Sequence, residues 1–129
     1  MCMIDDADGK WDLLLDETRR ARKVHRCYEC HCEIRPGESY ECRKFASDYG
    51  VETVTTCPHC VAVRSWLVVQ CRGWLYGGVL QDLQEHWQDD DLLRGRYLAL
   101  AISGMQKRWA KRDGSPMRVM GVYKVPVAA

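Results

Sequence analysis

Two short motifs constrain this chain more than any other feature: Cys27-x-x-Cys30, inside CYECHC, and Cys57-x-x-Cys60, read as CPHC. Two residues between sulfurs is the spacing a tight turn needs to aim both at one point while its N–H groups face the thiolates. A pair of such turns in 129 residues supplies four sulfurs, the number a tetrahedral ion takes. The chain holds eight cysteines, so disulfides and thiol redox chemistry compete with metal binding. The expected compartment decides between them. The start, MCMIDDADGKW, is acidic and lacks a charged n-region before an apolar stretch, so no signal peptide is expected. No apolar run approaches the ~18–20 residues of a membrane span. A cytoplasmic protein keeps its thiols reduced, which places metal before disulfide. The reading is one structural Zn2+ held by Cys27, Cys30, Cys57 and Cys60.

The remaining ligand types fit less well. Cys32 lies two residues past Cys30, where a starting strand turns it away. Cys42 falls in an expected strand and reads as a small core hydrophobe. Cys71 follows Cys60 by eleven positions, about three helical turns along, too far to share an ion. His31 and His59 sit beside or inside the ligand turns and read as surface or supporting residues. A second zinc using Cys32, Cys42 and a histidine is the weaker alternative, because that spacing is unmatched.

Around these motifs the pattern predicts an α+β domain spanning 1–129, with a zinc module over 20–72 and a helical extension over 73–129. Trp11, Leu14, Leu15 and Thr18 have helical spacing, which suggests a short amphipathic helix. Residues 33–56 read as strands, with a turn at Pro36-Gly37 and a hairpin turn at Tyr49-Gly50. VAVRSWLVVQC reads as a buried helix ended by Arg72-Gly73. Leu80, Leu83 and Trp87 mark a second helix. A third over 92–111, capped by Asp89-Asp90-Asp91, presents Leu93, Tyr97, Leu100, Ala101 and Met105. MRVMGVYKVPV reads as a C-terminal strand, on an edge because of Pro126.

A knuckle, a β-hairpin and a helix that carries the second ligand pair is the order of a treble clef, and the chain resembles that class of zinc folds. More narrowly, HRCYECHCEIRPGESYE followed by TTCPHC is similar to small phage and prophage proteins with a C-x-x-C…I-x-x-G-E-x-Y…C-x-x-C core. The resemblance covers roughly residues 20–87. It implies a host-directed or regulatory role, such as inhibition of a bacterial defence or polymerase complex.

A site of four cysteines is closed, whereas zinc hydrolases and deaminases keep an open position and a nearby carboxylate. No phosphate loop or nucleophile elbow is present. The expected protein is therefore not an enzyme. Docking on a protein partner is favoured by the aromatic supply, with Trp74 and Tyr76 ahead of Gly77-Gly78 as the exposed candidates. Acidic clusters at 5–17 and 82–91 add charge that could complement a partner or imitate phosphates. The alternative is nucleic-acid binding through RRARKVHR at 19–26 and through Lys107, Arg108, Trp109, Lys111 and Arg112. Against it stand a net charge of +1 and the acids Glu29, Glu33, Glu38 and Glu41 near the metal. Helix 92–111 either pairs with a second copy or covers the sheet.

Overall fold

After Trp11 the chain forms a strand, not the helix its apolar spacing suggests. In the computed structural model, which describes residues 2–6 and 12–125, β1 runs Asp12–Arg20 and pairs antiparallel with β4, Ser39–Ser47. Eight of the nine β1 side chains are exposed, so the Leu13-Leu14-Leu15 run reports no buried helix face. The ladder from Asp12↔Ala46 to Arg20↔Ser39 sets the backbone instead, and Leu14 is the extra residue of a bulge. Trp11 lies outside the described residues.

The strands expected over 33–56 are present. β2 (His25–Arg26) pairs with β3 (Glu33–Ile34) to flank the first cysteine pair. β4 turns at Asp48-Tyr49 into β5, Gly50–Thr56, giving a sheet in the order β1-β4-β5. The turn falls one residue earlier than expected, and Gly50, at φ +121°, opens β5. Tyr40 and Cys42 are buried on one face of β4, with Glu41, Arg43 and Phe45 on the other.

The apolar run after CPHC is helical but bent: α1 is Pro58–Val63 and α2 is Ser65–Cys71. At the bend the Ser65 hydroxyl donates back to the Ala62 carbonyl, which also accepts from Tyr97 Oη at 3.1 Å. Arg72, at φ 61°, takes the left-handed closing position that Gly73 was expected to prepare. α3, Val79–Asp89, buries Val79, Leu83, Asp82 and His86.

α4 is Arg96–Gln106, shorter at both ends than the predicted 92–111. Asp90 caps only a single turn, Asp91–Leu93, its carboxylate accepting from Leu92 N at 2.9 Å, and the chain extends again at Gly95. At the other end Arg108 and Trp109 both adopt positive φ, 53° and 57°, and fold the Trp109 ring onto Gly104. The buried face is Leu98, Ala101, Gly104 and Met105; Leu100, expected on it, is 48% exposed.

Residues 117–125 form no strand. They are held by isolated bonds, from Met117 N to Trp109 O at 2.8 Å, from Tyr97 Oη to Gly121 O at 2.7 Å and from Tyr123 N to Ser65 Oγ at 2.7 Å. Residue alternation alone makes no strand where no ladder partner is in reach. Pro126 lies outside the described residues.

A Cβ at Gly104 would stand 2.1 Å from the buried Trp109 ring. Gly104→Ala is therefore expected to destabilise the fold by about 1–3 kcal/mol through overpacking, despite alanine's better helix propensity. Urea unfolding of the two chains measures it.

Candidate metal centre

The first cysteine turn is built by the backbone. Cys27 N donates to Cys32 O at 3.0 Å and His31 N to Cys27 O at 3.0 Å, while His31 takes φ 64° to leave the turn. β5 anchors it, with Tyr28 N donating to Thr55 O at 2.8 Å and Thr55 Oγ1 to Arg26 O at 2.7 Å. The second turn opens α1, with Cys57 as N-cap and Pro58 in the first turn, where its missing N–H costs nothing.

Cys27, Cys30, Cys57 and Cys60 are all buried and their sulfurs lie within 4.8 Å of one another. Cys30 Sγ and Cys57 Sγ are 3.8 Å apart. Tetrahedral metal–sulfur bonds of about 2.3 Å would hold two sulfurs at about that separation. Cys57 N approaches Cys27 Sγ at 3.4 Å, the N–H···S contact that favours thiolate. The four residues read as ligands from spacing are thus brought together, and they could hold a metal ion.

The thiols oppose one another electrostatically. Hydrogen bonds from neighbouring thiols, Cys30 first, hold Cys27 far below the ordinary thiol range. Hydrogen bonding with Cys27 pushes Cys57 and Cys60 far above it. Against Cys27, which raises it, hydrogen bonding with Cys32, Cys57 and Cys60 lowers the Cys30 thiol to about 4. Buried thiolates suppress the ionisation of the other two, and a divalent cation is what would let all four ionise together.

Cys32 stands beside this group, its thiol pushed up chiefly by hydrogen bonding with Cys27, but it falls outside the set of four. Cys42 is a buried core residue at 2% exposure, as its strand position suggests. His59 stacks on Trp109 at 4.7 Å and 12°, so Trp109 is a buried partner of the centre and not a free surface for a base. Burial lowers the His59 pKa.

All four acids expected to surround the metal serve other contacts, Glu33 meeting Arg35 at 3.7 Å and Glu38 accepting from Arg35 N at 2.9 Å. Glu29, buried between the first two ligands, accepts from Gly77 N at 2.8 Å and Val79 N at 3.2 Å, capping α3. Glu41 forms a two-pronged pair with buried Arg64 and also meets Arg43 Nε at 3.2 Å. Trp74 and Tyr76 belong to this network: the Arg64 guanidinium lies 4.3 Å from the Trp74 ring, and Arg43 donates to Tyr76 Oη at 2.6 Å. Both aromatics are half-buried. Lys107, Arg108, Lys111 and Arg112 are exposed.

Sequence reasoning missed one cluster, Cys2, Cys71 and His86, in which Cys2 and Cys71 form a disulfide. This departs from the expectation that metal would take the sulfurs before a disulfide. The signal available was the Asp82/His86 pair, an i,i+4 polar couple on the buried side of α3. No family, curated protein or solved structure matches the chain. No described helix is long and apolar enough to cross a membrane.

A structural metal site contributes on the order of 10–16 kcal/mol, comparable to the ~5–15 kcal/mol stability of a whole domain. Chelation is expected to unfold at least residues 24–72, seen as loss of circular dichroism in step with metal release. A melt that is unchanged once the metal is gone would refute this. Among single variants, Cys60→Ser is expected to lose the one equivalent of metal held by the four cysteines and Cys32→Ser to retain it, which elemental analysis distinguishes.

Proposed function

We propose that the chain is a treble-clef-like zinc protein that acts by docking on a protein complex, without catalysis of its own. The single observation that supports this most is that the four candidate ligands are all buried cysteines. Four thiolates complete a tetrahedron and leave no position for substrate or water, which is the chemistry of a structural ion. One zinc then makes the first cysteine turn, the β4–β5 hairpin and α1 one rigid body. Read with the resemblance to small phage and prophage proteins, the module is a host-directed inhibitor or regulator working in the bacterial cytoplasm.

The docking surface differs from the one expected. Trp74 and Tyr76 are engaged by Arg64 and Arg43. One free apolar area lies at the tip of the β1-β4-β5 sheet, where Leu13 on one face, Val51 on the other, and Leu14 and Tyr49 at the end are 51–99% exposed. Tyr49, at 99%, presents a whole aromatic ring on a two-residue turn. Such a ring is a good anchor because it buries much area for little lost side-chain freedom.

A second reading, nucleic-acid binding, draws on the exposed Lys107, Arg108, Lys111 and Arg112. Its stacking residue, Trp109, is buried, which leaves phosphate contacts without base contacts. Capture from bacterial lysate by the wild-type chain, and its loss in Tyr49→Ser/Val51→Asp, is the expected outcome. Affinity for generic duplex and single-stranded nucleic acid at two salt concentrations is expected to be weak. Tight binding with a steep salt slope, unaffected by the tip substitutions and abolished by Arg108→Glu/Lys111→Glu, would replace the docking reading with the second.

A further inference from the structure

We propose that Cys2, Cys71 and His86 form a second metal site, gated by the redox state of its two sulfurs. The three come from separate parts of the chain: Cys2 precedes a single helical turn, Met3–Asp6, Cys71 ends α2 and His86 lies in the last turn of α3. Cys2 and Cys71 are joined as a disulfide with Cα atoms 5.6 Å apart. His86 Nε2 stands 3.6 Å from Cys71 Sγ and 3.8 Å from Cys2 Sγ. With metal–sulfur bonds of about 2.3 Å and metal–nitrogen bonds of about 2.0–2.1 Å, a tetrahedral ion holds its nitrogen and sulfur ligands about 3.6 Å apart. Both nitrogen–sulfur separations lie close to that figure with the sulfurs bonded, and holding an ion requires the two sulfurs to part to about 3.8 Å, the span of two tetrahedral bonds of about 2.3 Å.

The imidazole is set for the task by its other side. Nδ1 faces two acceptors on α3, Asp82 O at 2.8 Å and Asp82 Oδ1 at 3.1 Å. A proton on Nδ1 is donated to the Asp82 carbonyl and turns the Nε2 lone pair toward the sulfurs, the arrangement in which a backbone carbonyl orients a metal-binding histidine. The Asp82 carboxylate stands alongside with no hydrogen bond to either oxygen among the described residues. Asp82 is 1% exposed and His86 5%. A buried carboxylate and imidazole are costly on a helix face that otherwise holds Val79 and Leu83. The four-cysteine centre uses neither. A divalent cation bound by two thiolates and one imidazole gives both a purpose, and Trp66, edge-on to His86 at 5.1 Å, closes the apolar side. Half-buried Cys2 and Cys71 leave the fourth position to water.

The bonded sulfurs carry no thiolate, so disulfide and metal exclude each other. Reduction by a dithiol moves two electrons and two protons onto the Cys2–Cys71 bond and leaves the dithiol as its own disulfide. The two new thiols then lose their protons as the metal binds. In the reverse direction hydrogen peroxide takes two electrons from the thiolates and two protons from solvent and becomes two waters. The sulfurs join and the cation leaves as a free divalent ion. Either state ties the N-terminal segment to α2.

The test uses the full chain and zinc alone as the probe. One sample is reduced anaerobically; in the other only the Cys2–Cys71 bond is formed, checked by peptide mapping. The reduced chain is expected to hold one more equivalent of zinc than the oxidised chain, with nitrogen appearing in its zinc X-ray absorption shell. Reduced Cys2→Ala and His86→Ala are each expected to lose that equivalent. Equal zinc content in the two wild-type samples, or an all-sulfur shell in both, overturns the proposal whatever the variants do. Retention of the extra equivalent in Cys2→Ala, with circular dichroism unchanged, also overturns it. Because the four-cysteine centre is all sulfur, the shell composition separates failure of this site from failure of that one.

Discussion

Four buried sulfurs within 4.8 Å of one another, close enough to share one ion, are the point at which two stretches of chain remote in sequence meet. Cys27 and Cys30 sit on a turn between two-residue strands, and Cys57 and Cys60 on a helix of six residues. Neither element is long enough to persist alone in water. What keeps both turns in place is partly the backbone, through Tyr28 N to Thr55 O and Cys57 N to Cys27 Sγ. The rest falls to whatever resolves the mutual repulsion of buried thiolates.

From that point the constraint spreads outward through two buried ionic side chains. Glu29 lies between the first two ligands and caps α3 fifty residues away. Tyr28 beside it covers Gly77, where φ is +83° and a Cβ would come within 2.9 Å of the ring. Arg64 leaves the bend between α1 and α2 to meet Glu41 on β4, with Trp74 against its other side. Within the shared apolar core, Glu29 is thus the charged link from the cysteine turns to α3, and Arg64 that from the helices to the sheet. Both are satisfied by charge-assisted bonds, which is what makes burying them tolerable.

Much of the local structure was legible. The strands over 33–56, the helix after CPHC and the helix marked by Leu83 follow from β-branched content, turn residues and apolar period, which report burial directly. The misses share a cause. β1 has almost no buried side chain, so no period in it could report its state. α4 stops where Trp109 folds back on Gly104, a contact between side chain and helix backbone that helix propensity does not describe. Trp74, Tyr76 and Trp109 read as surface aromatics because their partners Arg64, Arg43 and His59 are remote in sequence.

The sequence by itself determined the two C-x-x-C turns, because that spacing is a local property of a turn and survives any arrangement of the rest; their meeting at one point belongs to the tertiary structure. The sequence also determined the α+β character, through patterns that act over a few residues. Only the tertiary structure decided which strand lies beside β4, which aromatics remain free, and that Cys2 and Cys71 meet beside His86. Those outcomes depend on contacts between residues far apart in the chain, and no short window of sequence contains both members of such a pair.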